Sequence, residues 1–198
     1  MPLLPAALDA VTGGTAGDAP PRFAGAQTIS GTDGADVAYG SAHGDRIDLK
    51  GGNDSAEGGW GQDTLNGGSG QDSLAGNEGA DSLDGGYADR AADRIEGGDG
   101  DDVLRWSALN GNDSFEGGAG LDTIQVLDVE MQDILAGLVL SNMQVSPVFA
   151  DGAVIFVDRI TGQPVAISGE LHIDGAVLRF SEVERFVIGS SEPDRHPV

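Results

Sequence analysis

The chain has 198 residues, no cysteine, and 33 Asp and Glu against 10 Lys and Arg, a formal net charge of −23 with a pI near 4.1. Such acidity argues against nucleic acid and anionic membrane as partners and for bound cations. The missing cysteines exclude disulfides, thiolate metal sites and thiol nucleophiles, and no run of 18 apolar residues is present to predict a membrane-spanning helix.

Residues 1–30 are rich in Ala, Gly and Pro, with Pro20 and Pro21 adjacent. This composition predicts a flexible leader, with residues 23–29 able to add one strand over whatever follows. Residues 1–18 lack both a basic segment and an adequate apolar stretch, so no Sec signal peptide is expected.

Residues 31–125 repeat a single phrase. It is clearest over residues 58–84, which read Gly-Gly-Trp-Gly-Gln-Asp-Thr-Leu-Asn, Gly-Gly-Ser-Gly-Gln-Asp-Ser-Leu-Ala and Gly-Asn-Glu-Gly-Ala-Asp-Ser-Leu-Asp. The pattern is G-G-x-G-x-D-x-U-x, with U a large apolar residue, and a short fixed period of this kind predicts a solenoid. Glycines permit tight turns, the Asp offers a hard oxygen ligand, and x-U-x alternates as a short strand with one buried face does.

Rows begin at Gly31, Gly40, Leu49, Gly58, Gly67, Gly76, Gly85, Gly97, Trp106 and Gly117. Their sixth-place residues, counted back from the strand where a row is lengthened, are Asp36, Asp45, Asp54, Asp63, Asp72, Asp81, Asp93, Asp102, Asp113 and Asp122. The eighth-place residues are Ala38, Ile47, Ala56, Leu65, Leu74, Leu83, Ile95, Leu104, Phe115 and Ile124, all apolar and all expected in a narrow core.

Some rows depart from the phrase. Thr32 stands at the second place of the first row, His43 at the fourth place of the second, and Leu49-Lys50 replaces both leading glycines of the third. The rows from Gly85 and Trp106 are lengthened to twelve and eleven residues. Both have the same parity, so the insertions should interrupt one edge, near residues 87–92 and 106–110, and leave the other regular. That patch carries Tyr87, Arg90 and Trp106, either a contact surface for a sugar or partner or a tolerated surface insertion. Trp60 is expected as an exposed loop residue, and His43, His172 and His196 are scattered singly rather than grouped as ligands.

The repeat resembles the calcium-binding nonapeptide of the repeats-in-toxin (RTX, haemolysin-type) family over residues 31–125. The resemblance implies an all-β fold, a right-handed parallel β-roll. Two nonapeptides make one coil, and successive strands alternate between two parallel sheets. It implies Ca2+ as the bound ion. The ligands would be the ten sixth-place aspartates with loop carbonyls, here assigned to Gly59, Gly61, Gly68, Gly70, Gly79, Gly98, Gly100, Gly118 and Gly120. It also implies export from a bacterium by a type I exporter and a secreted, extracellular location. Each coil would stack on the last at roughly 4.8 Å. With 20 Asp and Glu against five Lys and Arg in residues 31–125, ions between loops one coil apart would neutralise stacked carboxylates that otherwise repel.

Residues 126–198 change character: glycine thins and β-branched residues rise. Residues 153–159, 164–173, 176–180 and 183–188 read as strands. Asp151-Gly152 and Asp174-Gly175 are two-residue hairpin signals, and 160–163 is a further turn. Together they predict an antiparallel β cap on the open end of the roll, possessing the export signal if that lies in the chain. Residues 134–140 fit a helix or a strand. The run Phe180-Ser-Glu-Val-Glu-Arg-Phe186 is similar to the segment that follows RTX repeats in some bacterial proteins.

Neither H-E-x-x-H nor G-x-S-x-G occurs, and Gly67-Gly-Ser-Gly70 is a repeat loop rather than a nucleophile elbow. No catalytic residue is assigned, and the chain is read as a non-enzyme. The expected function is a secreted module that folds on extracellular calcium. The alternative is an adhesin-like solenoid binding a glycan or cell surface, and a third reading places an unrecognised catalytic site in residues 126–198.

Overall fold

A computed structural model describes residues 25–141, 144–150 and 152–189. The leader up to residue 24, the terminal segment with His196, and Asp151 of the first expected hairpin lie outside the described residues.

The short x-U-x segments form strands, as a period-two pattern with one apolar face requires. Strands β1 (Thr28–Ser30), β2 (Val37–Tyr39), β3 (Arg46–Asp48), β4 (Ser55–Trp60), β5 (Thr64–Asn66), β6 (Ser73–Glu78), β7 (Ser82–Asp84), β8 (Arg94–Asp99), β9 (Val103–Trp106), β10 (Ser114–Ala119) and β11 (Thr123–Leu127) are laid down alternately in two sheets. Odd strands stack in one sheet and even strands in the other, each parallel to the strand one coil away. Leu65 pairs with Ile47 and Leu83, and Leu74 with Ala56 and Ile95. The same apolar place therefore recurs in columns. Of the stretch 23–29 from which a strand was expected, Thr28 and Ile29 join Ser30 in β1, parallel to β3.

Every eighth-place residue is buried, from Ala38 at 6% exposure to Leu83 and Leu104 at 0%. The core widens along the stack. Alanines fill it at the first coils and Phe115 near the last, continued by Phe180 and Phe186 beyond the repeats.

After β11 come α1 (Met131–Gly137), β12 (Leu138–Leu140), β13 (Val145–Ala150), β14 (Ala153–Asp158), β15 (Ile167–Ile173), β16 (Ala176–Val183) and β17 (Arg185–Gly189). The segment readable either way from sequence is divided between both states. A capping box of Glu130 and Asp133 starts a helix that seats Ile134 in the core, and β12 follows directly. The expected antiparallel hairpins are present, β13 with β14 and β15 with β16. Sequence did not reveal how they join the roll. Strand β16 runs parallel to β10 and β17 parallel to β11, in the roll's own register: Phe115 faces Phe180 and Ile124 faces Phe186. The cap thus adds one more coil before its hairpins turn back. Phe186 meets Phe180 and Phe156 edge-on, with ring centroids 5.3 and 6.1 Å apart.

Leu83 is the most direct test of this single-file core. Leu83→Ala removes the only large apolar side chain its row places inside and should lower stability in calcium-containing buffer by about 2–5 kcal/mol, measured by guanidinium unfolding. A change under about 0.5 kcal/mol would show that the column does not carry the roll.

Candidate metal centre

In each coil the chain leaves one sheet, turns through the glycine-rich places and enters the other sheet just after its sixth-place Asp. That Asp is turned inward. All ten are buried, at 4% exposure or less. Their side chains form two ladders, one on each edge. Asp36, Asp54, Asp72, Asp93 and Asp113 stack on one, and Asp45, Asp63, Asp81, Asp102 and Asp122 on the other. The rungs are identical. Oδ1 of Asp63 accepts the Asp45 N–H at 2.6 Å, Oδ1 of Asp81 that of Asp63 at 2.7 Å, Oδ1 of Asp102 that of Asp81 at 2.8 Å, and Oδ1 of Asp122 that of Asp102 at 2.9 Å. The other edge repeats this from Asp36 through Asp113. Each rung spans 18 residues in regular coils and 20 or 21 where a lengthened row intervenes. Insertions therefore leave the ladder unbroken.

The second carboxylate oxygen is different. Oδ2 of Asp54, Asp63, Asp72, Asp81, Asp93, Asp102 and Asp122 is buried with no hydrogen-bond partner. A buried acceptor left unpaired costs free energy, and a buried charge far more. Among the described residues no cation answers it. The ion pairs among the described residues, Arg94–Glu96, Arg105–Asp84, His172–Glu170 and Arg179–Glu170, all lie outside the ladders.

The glycines surround this oxygen. At the first place of a row, a Cβ on Gly76 would overlap Asp81 Oδ2 and stand 2.7 Å from the Gly97 carbonyl oxygen of the next coil. Gly97 has the same relation to Asp102 Oδ2 and the Gly117 carbonyl, at 2.5 Å from the latter. At the fourth place, Gly79 has φ 137° and a Cβ there would overlap the Gly61 carbonyl oxygen. Carboxylate and carbonyl oxygens are thereby gathered between successive loops. Among the described residues no three Asp, Glu or His side chains converge as a metal cluster. A cation at these loops would therefore take carboxylate oxygen together with backbone carbonyls. Such an all-oxygen, mixed donor set suits calcium rather than a nitrogen- or sulfur-seeking metal.

Burial pushes the ladder carboxyls above their ordinary range. It brings Asp63, Asp72 and Asp122 to about 6 and Asp93 and Asp102 to about 7, while the amide of the preceding coil opposes it and neighbouring carboxylates add to it. The residues fit a divalent ion: an orphan oxygen, a cradle that any side chain would fill, and uncompensated negative charge.

Three sixth-place aspartates have a protein donor on Oδ2 instead. Asp36 receives the Thr32 N–H at 2.6 Å and its hydroxyl at 2.9 Å, and Asp45 receives the Ser41 N–H. Asp113 receives the Trp106 indole N–H at 2.8 Å. The expectation of an outward patch of Tyr87, Arg90 and Trp106 is corrected here. Tyr87 and Arg90 are exposed, but Trp106 is fully buried because its first-place position points the ring into the coil. Trp60 is exposed, as expected. The third row, despite Leu49-Lys50, keeps an unpartnered Asp54 Oδ2. Leu49 is buried, and Lys50 adopts the positive φ of 68° that a second-place glycine would.

Sequence reasoning missed Glu184. Its Oε2 accepts the Asp122 N–H at 2.8 Å, continuing the ladder past the repeats. The readable trace was Glu184-Arg185-Phe186, an acid two places before a core residue, as in Asp63-Thr64-Leu65.

A family model described as the RTX calcium-binding nonapeptide repeat matches the chain in four copies, at residues 23–56, 57–86, 87–105 and 107–125. No curated protein matches it. The four copies together take in just over half of the chain and include every one of the ten ladder aspartates. The protein therefore belongs to the RTX calcium-binding nonapeptide repeat family, and its coils are a calcium-binding β-roll.

Proposed function

We propose that the protein is a secreted, non-catalytic module that is unfolded at cytosolic calcium and folds on meeting extracellular calcium. The observation that supports this most is the set of seven buried Oδ2 atoms with neither a hydrogen-bond donor nor a protein cation. A roll built on such atoms is poorly stable alone, since each buried charge opposes burial. An ion that binds only the folded state stabilises it by about 2.7 kcal/mol per site at 100 times its Kd, and by almost nothing far below Kd. Several sites in series then make folding follow the calcium gradient across the cell envelope. Export in an unfolded state through a type I exporter suits a chain of this kind.

In this reading Asp54, Asp63, Asp72, Asp81, Asp93, Asp102 and Asp122 are the principal carboxylate ligands. Loop carbonyls of Gly59, Gly61, Gly68, Gly70, Gly79, Gly98, Gly100, Gly118 and Gly120 complete the sites. Asp45 and Asp113, whose two oxygens both have donors, hold calcium less tightly, and Asp36 keeps one unpartnered oxygen, Oδ1. One feature supports the second reading, a glycan- or surface-binding solenoid. A groove of about 570 Å3 lies between the lengthened loops and the β15–β16 turn, with Arg90, Ser107, Asp128 and Asp174 on its walls.

Far-ultraviolet circular dichroism should show coil in chelator and β structure at millimolar calcium. Magnesium should not substitute, because its strict octahedral demand and tight hydration suit these loops poorly. Identical spectra with and without chelator would overturn the reading. Asp81→Asn keeps an acceptor for the Asp63 amide but removes the charge, and should raise the calcium midpoint by about threefold or more.

The pH dependence has a definite sign. Asp63, Asp93 and Asp102 have folded-state values of about 6 to 7 against 3.8 for an ordinary Asp. Without metal, their stabilising effect is full below pH 3.8 and is lost as pH rises through 6 to 7. In chelator, residual β structure should therefore increase on acidification from about pH 8 to 5. The calcium midpoint should rise over the same interval, because protons compete for the same oxygens. A calcium midpoint unchanged by pH would contradict the assignment of these carboxylates.

A further inference from the structure

We propose that the cap contributes a calcium-class divalent cation site of its own, between the last repeat loop (residues 117–122) and the cap turn (residues 182–184). Its first ligands are Asp122 Oδ2 and the Glu182 carbonyl, with the Glu184 carboxylate locked beside them. The proposal rests on the reading that the roll binds calcium, and extends it to residues that carry no nonapeptide.

The topology puts the turn where a further loop would stand. Strand β16 continues the stack of β10 and β17 that of β11, so the chain between them lies over residues 117–122 as those lie over residues 97–102. The contacts repeat the ladder atom for atom. Glu184 Oε2 takes the Asp122 N–H at 2.8 Å, as Asp122 Oδ1 takes that of Asp102 at 2.9 Å. Glu184 N–H and Arg185 N–H both donate to the Asp122 carbonyl at 3.1 Å, as Thr123 N–H donates to that of Asp102 at 2.8 Å. The Glu182 carbonyl crowds the face of Gly117 where the Gly117 carbonyl crowds that of Gly97. Glu182 reaches this position with φ 54°, a conformation that L residues rarely adopt. Only three residues make the turn, and a glutamate, one methylene longer than Asp, spans the shorter path to the same amide.

An independent observation points to a ligand. Asp122 has 0% exposure, and its Oδ2 has no donor. That oxygen lies 2.6 Å from where a Gly117 Cβ would stand, a point the Glu182 carbonyl oxygen also overlaps. Two acceptor oxygens thus converge beside Gly117, and the Asp122 Oδ2 of the pair has no donor. Elsewhere in the stack the next nonapeptide completes this arrangement, and here the cap does. Asp101, Glu182 and Glu184 add negative charge around Asp122, none of them in an ion pair among the described residues, and Arg185 is exposed and unpaired with them. A cation here would clamp the roll to its cap.

The test counts bound calcium on the full chain, with calcium chloride as the sole ligand, by equilibrium dialysis. Glu184→Gln keeps an acceptor for the Asp122 amide but loses the charge, and Asp122→Asn keeps one for the Asp102 amide. Each should lose one bound ion relative to wild type, and the double variant should lose no more than either alone, because both side chains serve one site. Glu57→Gln, an exposed acid on β4, should lose none. An unchanged count in Glu184→Gln, or the loss of two ions in the double variant, overturns the cap site. Absence of bound calcium in the wild type would instead overturn the reading of the roll. Should the variants fail to fold, hydrogen exchange on the wild type decides. Amides of residues 182–186 should gain protection with calcium, and protection independent of calcium there, alongside calcium-dependent protection of the repeat loops, overturns the proposal.

Discussion

A buried carboxylate satisfied on one side only is the constraint from which the rest of this structure follows. Each coil hands one backbone amide to the Asp of the next, and that bond sets register and spacing. The other oxygen is left inside the protein without a donor at seven loops, six of them in succession from Asp54 to Asp102. A polar core group in a globular domain is normally matched by another side chain, a backbone group or water. Here the glycine loops bring carbonyl oxygens to the same place and add more negative potential. The site can be neutralised only by something positive, and the sequence places its few basic residues elsewhere. Calcium binding is thus built into the backbone geometry of the coils.

The same constraint explains the composition. Glycine recurs because at Gly76 or Gly79 a single methyl group would displace the carboxylate or carbonyl oxygen of the site. The excess of acid follows from one inward Asp per row, plus surface acids that raise the local potential for a cation. The apolar core, one side chain per row except where Leu49 and Trp106 add a second, is thin at Ala38 and Ala56 and reaches aromatic bulk towards the C-terminal end, at Trp106, Phe115, Phe156, Phe180 and Phe186. Apolar burial is concentrated at the C-terminal end, where the cap's hairpins pack on the last coils.

Most of the roll was legible in the sequence because period, place and chemistry coincide there. A nine-residue count gives the strand, the core residue and the carboxylate at once. What was not legible lies where the count breaks. Trp106 opens a lengthened row, and the length signals an insertion, not that the ring turns inward to cap Asp113. Thr32 read as a departure from glycine and Ser41 gave no signal, whereas their amides and the Thr32 hydroxyl occupy the oxygen that other rows leave free. Glu184 was hidden because its turn has three residues, no glycine and a longer acid. Only the spacing from Glu184 to Phe186 betrays it. Segment 134–140 was undecidable locally because its apolar residues fit both periods. The capping box at Glu130 and the pairing of β12 with β15 divide it.

The most direct measurement is a crystal grown in calcium and recorded at a wavelength where calcium scatters anomalously. A column of ions is expected, each within bonding distance of the second carboxylate oxygen of Asp63, Asp81 or Asp102 and of loop carbonyls above it. Finding those oxygens capped by water or by protein donors, with no anomalous peak beside them, would contradict it.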